Sequence, residues 1–349
     1  MSQNTYCNPR LYIEDVGIIE NLKGTVTFPS NNQISTLKVT ISGTDIPESA
    51  ILNKKVRFYL NYGADDTVPY FIGYIKQIKP TDKNFSLVAY DPRCFLGGEY
   101  AETFHIDEAN NYDGFTLSQF LTKYINDRIN KDKILIDVNN MNDTSPPVTL
   151  SGYRKNDTTP YSACLELIQF AMDDSDIFNM FAYDIGIKFG VENASLTFIK
   201  EKPLSDIPSM TLSYGDGIIS YSYDKLKIPN RTKFEDVRVD FGGSDNIRVS
   251  KDVSKFLSAK RFRNRAANRA LVSKELTKAL IMARRDKYNI TLSTTKGHYL
   301  SLGSLVNLNI NEEIKGTHRL TEKVLNFSEK GTSLKLKLNT KANTINSSY

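Results

Sequence analysis

Few residues in this chain have the types and spacing that chemistry needs. There are three histidines, His105, His298 and His318. A metal site or a general base normally requires a second ligand or an orienting partner at a fixed spacing. His105 in ETFHIDE has acidic neighbours but no second histidine one helical turn away, so no metal site is expected. His318 in GTHRLTE alternates with the residues of a strand and reads as a barrel-surface or interface residue. No G-x-S-x-G elbow, phosphate loop or G-x-G-x-x-G turn occurs, which removes the usual signatures of acyl transfer, nucleotide hydrolysis and dinucleotide binding. Acids cluster at Asp173, Asp174 and Asp176 and at Glu312 with Glu313, at helix ends or turns where solvated carboxylates belong. A glycosidase pair is defined by its separation in space, which spacing along the chain does not give. The expectation is therefore no catalytic residue, no cofactor and no metal.

The densest charge is basic: Lys260, Arg261, Arg263, Arg265 and Arg269, running into a helix that Arg284, Arg285 and Lys287 close. A nucleic-acid site would interleave such cations with aromatics for the bases, and only Phe256 and Phe262 are near. The readings rank as a solvated helix face, then contact with an acidic protein partner, then nucleic acid. Overall charge agrees, since 45 basic against 40 acidic residues leave a mild +5.

A chain of 349 residues has room for two or three domains. No apolar run approaches the ~18 residues of a membrane helix, and the start MSQNTYCNPRLYIEDV does not read as a signal peptide, so assembly in a cytoplasm is expected. Cys7, Cys94 and Cys164 are far apart and read as reduced, mostly buried thiols. Tyrosine at 19 and phenylalanine at 18, with no tryptophan, suit sheet surfaces and interfaces.

The elements are mostly strands. GTVTF, STLKVTISG, KKVRFYLNYG, YFIGYIKQI and NFSLVAYD alternate apolar and polar residues between Asn, Gly, Pro and Asp turns, enough for a small barrel or sandwich. Near the other end SLVNLNIN, EIKGTHRLTEKVLNF and TSLKLKLN repeat the last three, with Gly316 standing where Gly73 stands in the first set. Two related barrels follow. Between them Leu117, Phe120, Leu121, Tyr124 and Ile125 share one helical face, and Thr158-Thr159-Pro160 caps a second helix with Tyr161, Cys164, Leu165, Ile168 and Ala171 on one side. A hairpin through GVENA completes an α+β insert, and IISYSYDKLKIPNRTKFEDVRVDFGG reads as two strands bridged by Ile-Pro-Asn-Arg. The fold expected is mainly β with an α+β insert: a first barrel over 1–105, the insert over 106–215, a second barrel with an associated helix over 216–340, and a loose tail over 341–349.

AYDPRCFLGG, TPYSACLELIQFA, ISYSYDKLKIPNRTKFEDVRV, YNITLSTTKGHYLSLGSLVNLNI and GTHRLTEKVLNFSEKGTSLKLKLN, in that order, resemble the tail hub proteins of contractile-tail bacteriophages, the late control family. They are also similar to the N-terminal part of type VI secretion spike proteins. The resemblance spans roughly residues 10–340. It implies a homotrimer whose two barrels per chain make a pseudo-sixfold ring in a virion baseplate, joining the tail tube protein to a separate central spike protein and touching other baseplate proteins. The genome would pass through the ring without specific binding, and Lys260 to Arg269 would point away from the bore. No membrane insertion is implied. Rival readings are a related injection or secretion hub, a tail-tip cell-wall hydrolase, and a nucleic-acid-binding barrel protein.

Overall fold

The computed structural model describes residues 8–29, 33–42, 46–60, 67–80, 84–106, 112–130, 136–139, 141, 146, 148–150, 153, 155–168, 183–202, 204–225, 238–240, 246–248, 286–328 and 330–341. The strands of the first unit are β1 (Arg10–Ile13), β2 (Gly17–Ile19), β3 (Leu22–Phe28), β4 (Thr36–Ser42), β5 (Lys55–Tyr59), β6 (Phe71–Pro80) and β7 (Asn84–Tyr90), with a short helix α1 (Glu48–Ile51). The insert holds β8 (Phe104–Ile106), α2 (Leu117–Tyr124), β9 (Ile136–Asp137), β10 (Lys155–Thr158), α3 (Pro160–Ile168), β11 (Tyr183–Phe189) and β12 (Ala194–Lys200). Then come β13 (Met210–Tyr214), β14 (Gly217–Lys225), β15 (Arg238–Asp240), β16 (Asn246–Arg248), β17 (Asp286–Thr294), β18 (Leu305–Asn309), β19 (Gly316–Ser328) and β20 (Gly331–Lys341).

Period-2 alternation produces these strands directly. In β7 Phe85, Leu87 and Ala89 are buried and their neighbours are not, as a half-buried sheet requires. The buried faces of both units fuse into one core, from Leu11 and Val26 through Phe58 to Leu325 and Leu338.

One 13-stranded sheet runs β18-β13-β14-β17-β20-β19-β3-β4-β7-β6-β5-β1-β2, and an added β18–β19 ladder closes its first six strands into a barrel. Five strands of each unit share one order: β3-β4-β7-β6-β5 corresponds to β14-β17-β20-β19-β18. A bulge fixes the correspondence residue by residue. The β6–β7 register shifts between Ile75 and Gln77, and the β19–β20 register shifts between Leu320 and Glu322. Tyr74, paired with Tyr90, therefore matches Arg319, paired with Asn339. On that register Gly73, opposite Val56, matches His318, opposite Val306. This corrects the equation of Gly73 with Gly316. The sixth place differs in direction: Leu11 of β1 lies opposite Phe58 in an antiparallel ladder, whereas Leu212 of β13 lies opposite the matching Leu308 in a parallel one.

The insert has its own core. Leu117, Phe120, Leu121, Tyr124 and Ile125 are all buried there, with Tyr161, Cys164 and Ile168 of α3 against them. Thr116 caps α2 by accepting from the Gln119 N–H at 3.2 Å while Gln119 returns a bond to the Thr116 N–H at 2.9 Å. The GVENA hairpin forms as expected, with Phe189 opposite Ala194. Among the described residues β14 pairs with β13 and β17, and β15 pairs with β16; the Ile-Pro-Asn-Arg connection expected to bridge two strands lies outside them.

Candidate functional site

Three joints built from buried polar groups hold the units together, and among the described residues β14 has a long side with no ladder partner. The first joint begins at the end of β7. Asp91 accepts the Arg93 N–H at 2.9 Å, capping a short 3-10 turn that Pro92 starts. The Arg93 guanidinium folds back on the same carboxylate, Nε to Oδ1 at 3.0 Å and Nη2 to Oδ2 at 2.7 Å. Its other donors reach the Ile185 carbonyl of β11 at 2.8 Å and the Ser35 hydroxyl at 3.0 Å. Asp91 also accepts the Ser35 N–H at 2.6 Å. One cation thus pins the insert to the first unit. Burial disfavours its charge, but the Asp91 carboxylate more than restores it and the proton is held above the usual arginine range. Nearby, Arg57 reaches Glu192 at 2.5 Å and Lys55 reaches the Glu192 carbonyl at 2.5 Å, seating the β11–β12 turn on β5.

The second joint ties the insert to the closed barrel. Buried Arg319 pairs with buried Glu201 and donates to the Lys202 carbonyl. Because Arg319 matches Tyr74, which stacks edge-on with Phe95 at 5.0 Å, the entry and exit of the insert dock at matching places on the two units.

The third joint lies where β3 meets β19, with Lys323 opposite Phe28 and Phe327 opposite Gly24. Lys323 Nζ donates to the carbonyls of His298 and Leu300 at 2.8 and 2.9 Å and lies 4.5 and 4.7 Å from the rings of Phe28 and Tyr70. Burial pushes the ammonium down to about 7. His298 beside it is pushed down to about 4 by burial and by the Lys323 charge, and so is neutral at ordinary pH.

The linkage sign for Lys323 is set by its lowered folded value. Between about 7 and 10.5 the unfolded chain holds a proton that the folded one sheds, so stability rises with pH across that window and is lowest below it. Unfolding midpoints of the native chain should climb from pH 7 toward pH 9, where the buried Cys94 and Cys164 thiols, pushed up by burial, begin to oppose the rise, and Lys323→Met should flatten the climb.

Among the described residues, β14 beyond Ile218 has one side without a ladder. Ile219 and Tyr221 are exposed in sequence with Ser220 and Ser222, and Tyr221 meets the exposed Tyr214 ring at 6.0 Å. From Ile219 to Lys225 the only ladder described for β14 is to β17. Its far end is anchored by Glu313, which accepts the Tyr223 hydroxyl at 2.7 Å.

His318 is buried, not on the barrel surface, and its Nε2 meets the Ile314 carbonyl at 2.9 Å. Among the described residues no group of three His, Cys, Asp or Glu is placed to hold a metal. Lys260, Arg261, Arg263, Arg265 and Arg269 lie outside the described residues, as do Asp173, Asp174 and Asp176. Arg93, Lys323 and the β14 edge carried no local signal strong enough to be singled out, although the DPR turn and the ISYSY alternation contain two of them.

Among solved structures the chain is similar to a tail protein from Neisseria meningitidis MC58, with TM-score 0.61 and 13% identity over 95% of this chain and 96% of that one. It is also similar to the 43 kDa tail protein of prophage MuSo2 from Shewanella oneidensis, with TM-score 0.59 and 10% identity over 97% and 99%. The chain has the phage tail-protein fold. An E. coli component of the type VI secretion system, described as structurally similar to the T4 bacteriophage tail proteins gp27 and gp5, follows at TM-score 0.51 and 10% identity over 95% of this chain and 77% of that one. The tail-protein fold is shared at identities where sequence comparison is silent: no protein-family model and no curated protein matches this chain.

Proposed function

We propose that this chain is a structural hub of a phage tail baseplate, in which three copies present six barrel-like units to a sixfold tail tube and threefold symmetry to a central spike. The observation that carries the reading is the tail-protein fold together with the strand order repeated inside one chain. A doubled module lets three chains mimic six, the simplest way to match a sixfold neighbour to a threefold one. The buried ion pairs and aromatic contacts described above serve rigidity and shape, which suits a non-catalytic part. The barrel domains bracket the insert, and the genome passes through the ring. The basic stretch Lys260, Arg261, Arg263, Arg265 and Arg269 is proposed to meet an acidic protein partner away from the bore. Sedimentation of the purified protein at rising concentration tests this reading: association to three chains is expected, and a monomer at every concentration contradicts it.

The type VI similarity favours one second reading, the hub of an injection or secretion machine. Capsid and terminase genes beside the coding gene support the phage, and their replacement by secretion-sheath genes supports the machine.

A further inference from the structure

The joint between the two units is itself a template. Inside the chain β3 pairs antiparallel with the outer part of β19, Lys323 opposite Phe28, Val324 opposite Thr27 and Leu325 opposite Val26. The bulge-anchored register gives the matching positions elsewhere. On β19's counterpart β6 they are Ile78, Lys79 and Pro80, and on β3's counterpart β14 they are Lys225, Asp224 and Tyr223. Among the described residues both stretches have one side without a ladder. β5 pairs with β6 only from Phe71 to Tyr74, leaving Ile78 to Pro80 laddered to β7 alone among the described residues, and β14 beyond Ile218 is laddered to β17 alone.

We infer that the β14 edge of one copy pairs antiparallel with the β6 edge of the next copy, repeating between subunits the joint that β3 and β19 make within one. This rests on the hub reading and adds its subunit contact. Three features on the two edges fit this occupant. β3, whose edge is covered, buries Val26 and Phe28, whereas at the matching places of β14 Tyr223 is only half-buried and Lys225 is exposed, and β14 also exposes Ile219 at 60% and Tyr221 at 37%. The register sets exposed Lys79 against exposed Asp224, opposite charges on facing strands. Pro80, lacking an N–H, ends the useful ladder of β6 just as it reaches Tyr223, so the contact is short and relies on side chains beyond it. Each copy carries one edge of each kind, so the contact is head-to-tail and closes into a ring when the rotation between copies allows.

A disulfide reads the register. In full-length protein carrying Cys7→Ser, the pair Lys79→Cys with Asp224→Cys should link copies on mild oxidation into a ladder that stops at three chains, because facing Cβ atoms lie about 4.5–5.5 Å apart. Lys79→Cys with Ile219→Cys should not link. Separately, Asp224→Lys should raise the concentration needed for association roughly tenfold, and adding Lys79→Asp should restore it. Chains that associate into threes without linking, or that link equally through the off-register pair, overturn this contact and leave the hub reading standing. Chains that stay monomeric at every concentration overturn both.

Discussion

Replacing Arg93 by methionine should destabilise the protein by about 3–5 kcal/mol, the usual cost of leaving a buried charge without its partner. Asp91 is fully buried, and the guanidinium supplies its strongest contacts. The same change removes donors from the Ile185 carbonyl and the Ser35 hydroxyl, so the loss should be felt where the insert meets the first unit. Chemical denaturation should show the lowered midpoint, and hydrogen exchange should show β11 opening ahead of β4 and β7. The paired change Asp91→Asn with Arg93→Met should recover part of the loss, because the orphaned charge is then gone. A single variant as stable as the native chain would mean the joint contributes nothing.

Gly24→Ala should be nearly as damaging, by about 3 kcal/mol, at the upper end of overpacking costs. A Cβ there would come within 2.1 Å of the Lys38 carbonyl oxygen and 2.8 Å of the Phe327 ring. Phe327 has little room to retreat, since it crosses from the closed barrel to stack on Phe58 with centroids 4.4 Å apart. The glycine lets the two units share one core. The variant should lose thermal stability, and any folded remainder should show the two units loosened from one another by limited proteolysis between β3 and β19. An unchanged melting temperature would show that the strands can separate at no cost.

Much of this architecture is readable from alternation alone. NFSLVAYD and TSLKLKLN display their buried faces in the letters, and the Leu117 to Ile125 stripe marks a helix face that is wholly buried. Register between the units is less accessible for a physical reason. A strand pattern has period 2, so a slip of two residues keeps every side chain on its proper face. That is the slip that set Gly73 against Gly316, when the shared bulge sets it against His318. The same ambiguity hid His318, which alternation assigns to one of two faces without saying which is the core.

The joints were harder still, because each depends on residues far apart in sequence. Thr25 and Asn326, whose side chains meet at 2.9 Å across β3 and β19, are separated by 301 positions. Nothing local marks Lys323 as buried, since its ammonium is satisfied by two carbonyls of a loop and two rings from another unit. The side of β14 without a ladder among the described residues leaves a faint trace, in that Ile219, Tyr221 and Tyr223 put apolar or aromatic bulk at every second position, the first two exposed and the third half-buried.

The central claim is that one chain carries two equivalent units so that three chains make a ring of six. An electron-microscopy reconstruction of the assembled ring, computed without imposed symmetry, tests it most directly. The account predicts threefold symmetry with six like-shaped β units around the bore, β14 of each copy against β6 of the next. A ring with one β unit per chain on the bore, or with copy number other than three, would contradict it.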